Sequence, residues 1–122
     1  MERHENVIVI KTERFADRIL KMCKYLSRKK TDDREMLKQV YRSGTSIGAN
    51  LAESQYAQSR PDFLTKLSIA LKEANETKYW LARLHTKGCL SESEYESINS
   101  DCEEIIKILT SITKTVKGSL QK

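Results

Sequence analysis

Apolar positions recur at helical spacing through most of the chain. Phe15, Ile19, Met22, Cys23 and Leu26 follow i, i+4, i+7, i+8, i+11, one face of an amphipathic helix. Ile8 extends that face backwards. Val7 to Ile10 also reads as a short strand, but no partner strand is visible, so helix or an extended lead-in is expected. A second segment puts Leu37, Val40, Gly44, Ile47, Leu51 and Gln55 on one face. A third does so with Phe63, Leu67, Ala70, Leu71, Ala74, Leu81 and Leu84. In the fourth, Tyr95, Ile98, Cys102, Ile105, Leu109, Ile112 and Val116 alternate +3 and +4 without a slip, a sustained heptad seam.

Turn chemistry separates these segments near 29–33, 59–61 and 87–91. It predicts helices at about 6–29, 33–58, 60–87 and 92–117. Ser59 can cap the third helix, Pro61 tolerates its first turn and Asp62 suits its positive end. Gly88 fits the position just past a helix, and Ser91 with Glu94 forms a capping-box signature. The tail after Lys117 is expected to fray. Short links between helices of similar length predict an all-α, antiparallel up-down-up-down four-helix bundle in a single domain. Gly44, Gly48 and Ala52, four residues apart, form a smooth ridge that a neighbouring backbone can approach; the alternative is a kink near Gly44. A helix-turn-helix DNA reader around Gly44–Tyr56 is the rival parse. It ranks lower because the apolar spacing passes through Gly48 and Leu51 without a phase break.

Composition narrows the class. The chain has 122 residues, 39% hydrophobic and 32% charged, with four Gly and one Pro. That excludes collagen, a disulfide mini-protein, a transmembrane protein and a wholly disordered chain, and it suits long two-faced helices. The three cysteines, Cys23, Cys89 and Cys102, are odd in number and widely spaced, which reads as reduced thiols and a cytoplasmic protein. The apolar run Val7–Ile10 is too short for a signal peptide.

The net charge of +5 is unevenly distributed. Residues 1–31 hold nine basic and four acidic side chains, residues 59–90 hold six and three, and the other two segments are net acidic. Lys11, Arg14, Arg18, Lys21 and Arg28 share a stripe opposite the Phe15–Leu26 face. Such a stripe is the electrostatic footprint of a nucleic-acid surface, and equally an ordinary solvated face with Glu13 and Asp17 alongside. On the third helix, Ile69 and Trp80 lie about a quarter turn off the core stripe, either as a roof over the core or as a subunit contact.

Catalytic chemistry is thin. His4 and His85 lack the Glu-x-x-His context of a di-metal bundle, and no zinc spacing occurs. Arg42 to Gly48 lacks the ending of a phosphate loop, and there is no Gly-x-Ser-x-Gly elbow. Glu73 and Glu76 read as salt-bridge formers. No enzyme activity, metal or cofactor is expected.

Arg42-Ser43-Gly44-Thr45-Ser46-Ile47-Gly48-Ala49-Asn50-Leu51-Ala52-Glu53 resembles the R-x-x-x-S-I-x-x-N-I-A-E signature of the bacterial four-helix bundle family linked to 23S rRNA intervening sequences. Phe63-Leu64, Leu67 to Glu73, and Glu76-Thr77 with Tyr79-Trp80-Leu81 are similar to the same family's third helix. Gly48 and Ser54 stand where many members carry Pro or Ser and Gly. The resemblance implies a small bundle, similar to the accessory variability protein of diversity-generating retroelements, that assembles as a ring-like homopentamer. That retroelement relative binds nucleic acid and a reverse transcriptase through a basic surface. Under the resemblance Ile69 and Trp80 become expected interface residues, and fivefold repetition raises +5 to about +25, favouring polyanions by counterion release. Arg42, Ser46, Asn50 and Glu53 belong to the signature. Asn50, a poor mid-helix residue, implies a specific hydrogen bond, with a structural role ranked above nucleic-acid contact. The functional expectation is a non-enzymatic homo-oligomer, pentameric by resemblance, that binds RNA or DNA through the basic stripe. The alternative is a protein–protein adaptor or scaffold.

Overall fold

The computed structural model describes residues 3–29 and 33–121. They form four helices: α1 (Arg3–Ser27), α2 (Arg34–Ser54), α3 (Arg60–Thr86) and α4 (Glu92–Leu120). The run Val7–Ile10 is helical. Part of the first expected break, residues 30–32, lies outside the described residues.

The caps follow the turn chemistry. Ser59 accepts the Asp62 N–H at 3.1 Å at the start of α3. At α4 the Ser91 hydroxyl accepts the Glu94 N–H at 3.2 Å while the Glu94 carboxylate accepts the Ser91 N–H at 2.8 Å, a complete capping box. Gly88 takes φ +81° beyond α3, which frees Cys89 N–H to reach Leu84 C=O at 2.9 Å and Gly88 N–H to reach His85 C=O at 3.0 Å. That pair of bonds is a Schellman motif, and its left-handed residue is why glycine stands there.

Several helix ends differ from expectation: α1 starts at Arg3 and ends at Ser27 rather than spanning 6–29, and α2 and α4 end elsewhere. α2 stops at Ser54, short of 58, because Ser54 Oγ and Gln55 Nε2 both donate to the Leu51 carbonyl, at 2.6 and 3.2 Å. The following N–H groups then close i→i−3 turns instead of continuing the helix. α4 runs through Gly118 to Leu120, past the expected fraying point. Gly118 keeps a negative φ here, so its helix penalty weakens α4 without ending it.

Contacts between helices fix the topology. Gly44 faces Ile19 and Gly48 faces Thr12 between α1 and α2. Arg42 meets Glu73 and Glu76, and Glu53 meets Lys66, between α2 and α3. His85 meets Glu92, and Cys102 Sγ donates to Ala74 C=O, between α3 and α4. Lys11 meets Glu104 and Arg18 meets Asp101 between α4 and α1. Residue numbers fall on one helix as they rise on its neighbour in every case, so all four neighbours are antiparallel. α1 packs on α2, α2 on α3, α3 on α4 and α4 back on α1, a four-cornered all-α bundle.

The core runs down its axis, with Phe15, Ile19, Val40, Ile47, Leu67, Leu81, Ile105 and Leu109 almost fully buried. The α1–α2 seam is the tightest. A Cβ added at Gly44 would sit 2.9 Å from both Cγ1 and Cγ2 of Ile19. At Gly48 it would lie 3.4 Å from the Thr12 carbonyl oxygen, ordinary contact. Close approach, with helix continuing through both glycines, accounts for the α2 ridge. Ala52, however, is exposed and takes no part. One polar pair is buried in the core: Thr77 Oγ1 donates to Ser43 Oγ at 2.9 Å and lies 2.8 Å from its own helix's Glu73 C=O.

Candidate functional site

The five cations of the α1 stripe separate into two groups. Lys11 pairs with Glu104, and Arg18 reaches Asp101 at 2.6 Å, Ser97 Oγ at 3.0 Å and Ser97 C=O at 3.3 Å. These two lie along the α1–α4 seam, where carboxylates of the acidic first half of α4 offset them. Arg14, Lys21 and Arg28 are exposed and pair with no carboxylate among the described residues. Arg14 and Lys21 lie seven residues apart on the outer line of α1, about 10 Å between Cα atoms, and Arg28 follows in the turn just past Ser27. Sequence spacing missed this division because it depends on which helix lies beside α1, not on the α1 wheel.

Below the Arg18 pair, α1 and α4 leave an open cleft of about 560 Å³, with Lys21, Tyr25, Leu90 and Glu94 among its walls. The capping-box bonds hold the Glu94 carboxyl below its ordinary value, so it stays ionised.

The four signature residues of α2 fall on one stripe that faces α3. The Arg42 guanidinium forks between two α3 carboxylates, reaching Glu73 at 3.1 Å and Glu76 more closely. This keeps Arg42 charged; the Glu73 side chain is only 14% exposed. Glu53 accepts from Lys66 at 3.0 Å. Asn50 Nδ2 donates to the Ser46 carbonyl at 2.9 Å, one turn back. Arg42 and Glu53 thus tie α2 to α3, with Glu73, Glu76 and Lys66 as their salt-bridge partners, whereas the Asn50–Ser46 bond stays within α2.

Ile69 and Trp80 flank the same α2–α3 seam. Ile69 is 37% exposed. Trp80 is half-buried against the core, meets the Tyr79 ring edge-on at 4.9 Å, and has its Nε1 shielded from solvent with no acceptor among the described residues. Tyr79 itself is exposed, which the apolar stripe gave no reason to single out.

Burial raises the thiols of Cys23 and Cys102 to about 11 and about 12, so both are neutral near pH 7 and poor nucleophiles. Among the described residues no three His, Cys, Asp or Glu side chains converge as a metal site, and no helix is long and apolar enough to cross a membrane.

Comparison with known proteins agrees with the four-helix bundle. No curated protein matches the chain. A solved structure described as a protein of unknown function from the S23 ribosomal protein family of Bacteroides thetaiotaomicron VPI-5482 is 50% identical, with a TM-score of 0.84. The match covers 91% of this chain and 98% of that one. The profile described as 23S rRNA-intervening sequence protein matches residues 4–111. The chain therefore belongs to the 23S rRNA-intervening sequence protein family.

Proposed function

We propose that this protein acts by binding rather than by catalysis, as a homo-oligomeric bundle that holds RNA or DNA without sequence choice. The observation that carries the reading is the exposed line of Arg14, Lys21 and Arg28, three cations without a carboxylate partner among the described residues. Exposed guanidinium and ammonium groups contact backbone phosphates and release their counterions, an attraction that needs no base readout. Repetition of the line in a ring strengthens the field.

The test is a fluorescence-polarisation titration of structured RNA and duplex DNA against salt. Affinity falls as salt rises, and Arg14→Glu with Lys21→Glu and Arg28→Glu abolishes it. Neutralising Lys11 and Arg18, already paired with α4, changes it less. No binding at low salt, or binding indifferent to the triple reversal, overturns the reading.

The same proposal makes the particle a pentamer in the cytoplasm, joined through the α3 flank bearing Ile69 and the edge of Trp80. Its mass by light scattering is then about 70 kDa, five chains of 14.1 kDa. A mass near 14.1 kDa at micromolar concentration refutes assembly. Ile69→Ser and Trp80→Ala lower the mass if this flank is the contact. If Trp80→Ala lowers only thermal stability, Trp80 is a roof over the core.

A further inference from the structure

A second surface lies on the α2 side of α1, bordering the polyanion line at Lys24, one turn from Lys21 and Arg28. Between α1 and α2 runs a groove of about 530 Å³ whose walls are mainly apolar. Leu20 (39% exposed) and Tyr41 (50% exposed) stand at one end, and Leu37 and Cys23 form the floor. The polar atoms of the floor are satisfied from within: Cys23 Sγ lies 3.8 Å from the Leu37 carbonyl, and Ser27 Oγ donates to the Lys24 carbonyl at 2.9 Å. With its thiol held neutral by burial, the floor offers no charge and no unmet donor.

The rim is different. Lys24 and Arg34 stand over the groove with no carboxylate partner among the described residues. Lys38 lies 3.7 Å from Glu35, and both side chains are largely exposed. Among the described residues no carboxylate lines the groove. It is therefore an apolar trough with a basic edge.

We propose that the α1–α2 groove is a docking site for an amphipathic helix of a partner protein, which inserts an apolar row between Leu20 and Tyr41 and sets carboxylates against Lys24, Arg34 and Lys38. The length fits. From Leu20 to Ser27, and from Arg34 to Tyr41, each wall has eight residues, seven helical rises of about 10 Å in all or two turns. That is the reach of apolar anchors at i, i+3 or i+4, and i+7. Charge complementarity selects the acidic flank and raises the encounter rate. A second copy of this chain fits less well. Ile10 stands near Arg14, and the carboxylates nearest Ile69, Glu73 and Glu76, are already held by Arg42. A nucleic acid would engage the rim but leave the Leu20–Tyr41 trough unfilled.

The probe is a fluorescent helical peptide with leucine at three- and four-residue spacing and glutamate on both flanks, titrated into the full chain by anisotropy. A second peptide carries lysine in place of glutamate. The glutamate peptide binds saturably, and the lysine peptide at least about tenfold more weakly. Leu20→Ser with Tyr41→Ser weakens the glutamate peptide at least about tenfold, as does Lys24→Glu with Arg34→Glu. All four positions are exposed, and retained helicity by circular dichroism shows that each variant folds. Absence of saturable binding, equal affinity for the two peptides, or indifference to either variant overturns the proposal. So does a fall in particle mass in the Leu20–Tyr41 variant, which gives the groove to a second copy. Loss of RNA affinity in that same variant assigns the groove to nucleic acid and also overturns it.

Discussion

Replacing Gly44 with alanine tests the close seam between α1 and α2. In an open helix the change is stabilising by about 1 kcal/mol, because alanine is the better helix former. At Gly44 the new methyl lands 2.9 Å from two carbons of Ile19 and 3.3 Å from its Cβ. Ile19 is fully buried and branched at Cβ, so it cannot swing aside as a long flexible side chain would. Overpacking of this kind costs about 1–3 kcal/mol, so after the propensity gain of about 1 kcal/mol Gly44→Ala is destabilised by about 1 kcal/mol and at most about 2. At Gly48 the same methyl meets Thr12 at ordinary contact distances, the nearest atom being its carbonyl oxygen at 3.4 Å, so Gly48→Ala keeps most of its propensity gain. The two alanine variants should therefore move in opposite directions. Thermal and urea denaturation followed by circular dichroism, at one fixed protein concentration, measures both; for a chain of this size 1 kcal/mol is roughly 4 °C in Tm. Ile19→Ala alone opens a cavity at a cost of about 2–5 kcal/mol. With Gly44→Ala added, the new methyl occupies part of that space, and the double variant loses less than the sum of the singles. If Gly44→Ala stabilises as much as Gly48→Ala, the steric account of this seam is wrong.

Arg42→Ala leaves Glu73 partly buried beside Glu76 without a cation, and unfolding titrations should show a loss of roughly 1 kcal/mol, with Arg42→Lys recovering only part because an ammonium cannot fork between two carboxylates. Ser91→Ala removes the cap of α4 and should cost about 1 kcal/mol at neutral pH. Because the Ser91 backbone N–H, and then its hydroxyl, depress the Glu94 carboxyl, the contribution of Glu94 is complete above the ordinary carboxylate range and is lost as pH falls through the lowered value; the deficit of Glu94→Ala should therefore shrink in acid. Cys23 and Cys102, buried and raised to about 11 and about 12, should resist iodoacetamide at pH 8 until urea unfolds the chain, while the half-buried Cys89 reacts first; mass spectrometry of the digested protein reads the order.

Helix number, caps and most of the core were legible in the chain because each depends on residues within a few positions of one another. The unbroken +3/+4 alternation from Tyr95 to Val116 announced α4, and Ser91 with Glu94 announced its start; both are local facts. The glycine ridge was legible for a related reason, since two glycines in one helix need a close neighbour to justify their cost. The end of α2 was hidden because Ser54 and Gln55 turn their side chains back onto the Leu51 carbonyl, a competition that apolar spacing does not report. The extension of α4 through Gly118 was hidden because glycine ends a helix only when its backbone turns left-handed, and here it does not.

The candidate surface divides the same way. The sequence by itself determined that α1 carries five cations on one side and that Arg42, Ser46, Asn50 and Glu53 share a stripe, because helical periodicity places residues on a wheel. Tertiary structure alone decided that Glu104 and Asp101 of α4 hold Lys11 and Arg18, leaving Arg14, Lys21 and Arg28 outside, and that Glu73 and Glu76 meet Arg42. It also decided that Leu20 and Tyr41, unremarked in their own helices, face each other across a trough with a basic rim. The physical reason is that a helix sets the direction of each side chain, whereas charge pairing and shared apolar surface depend on which residues of another helix, some eighty positions away in the case of Arg18 and Asp101, arrive at hydrogen-bonding distance.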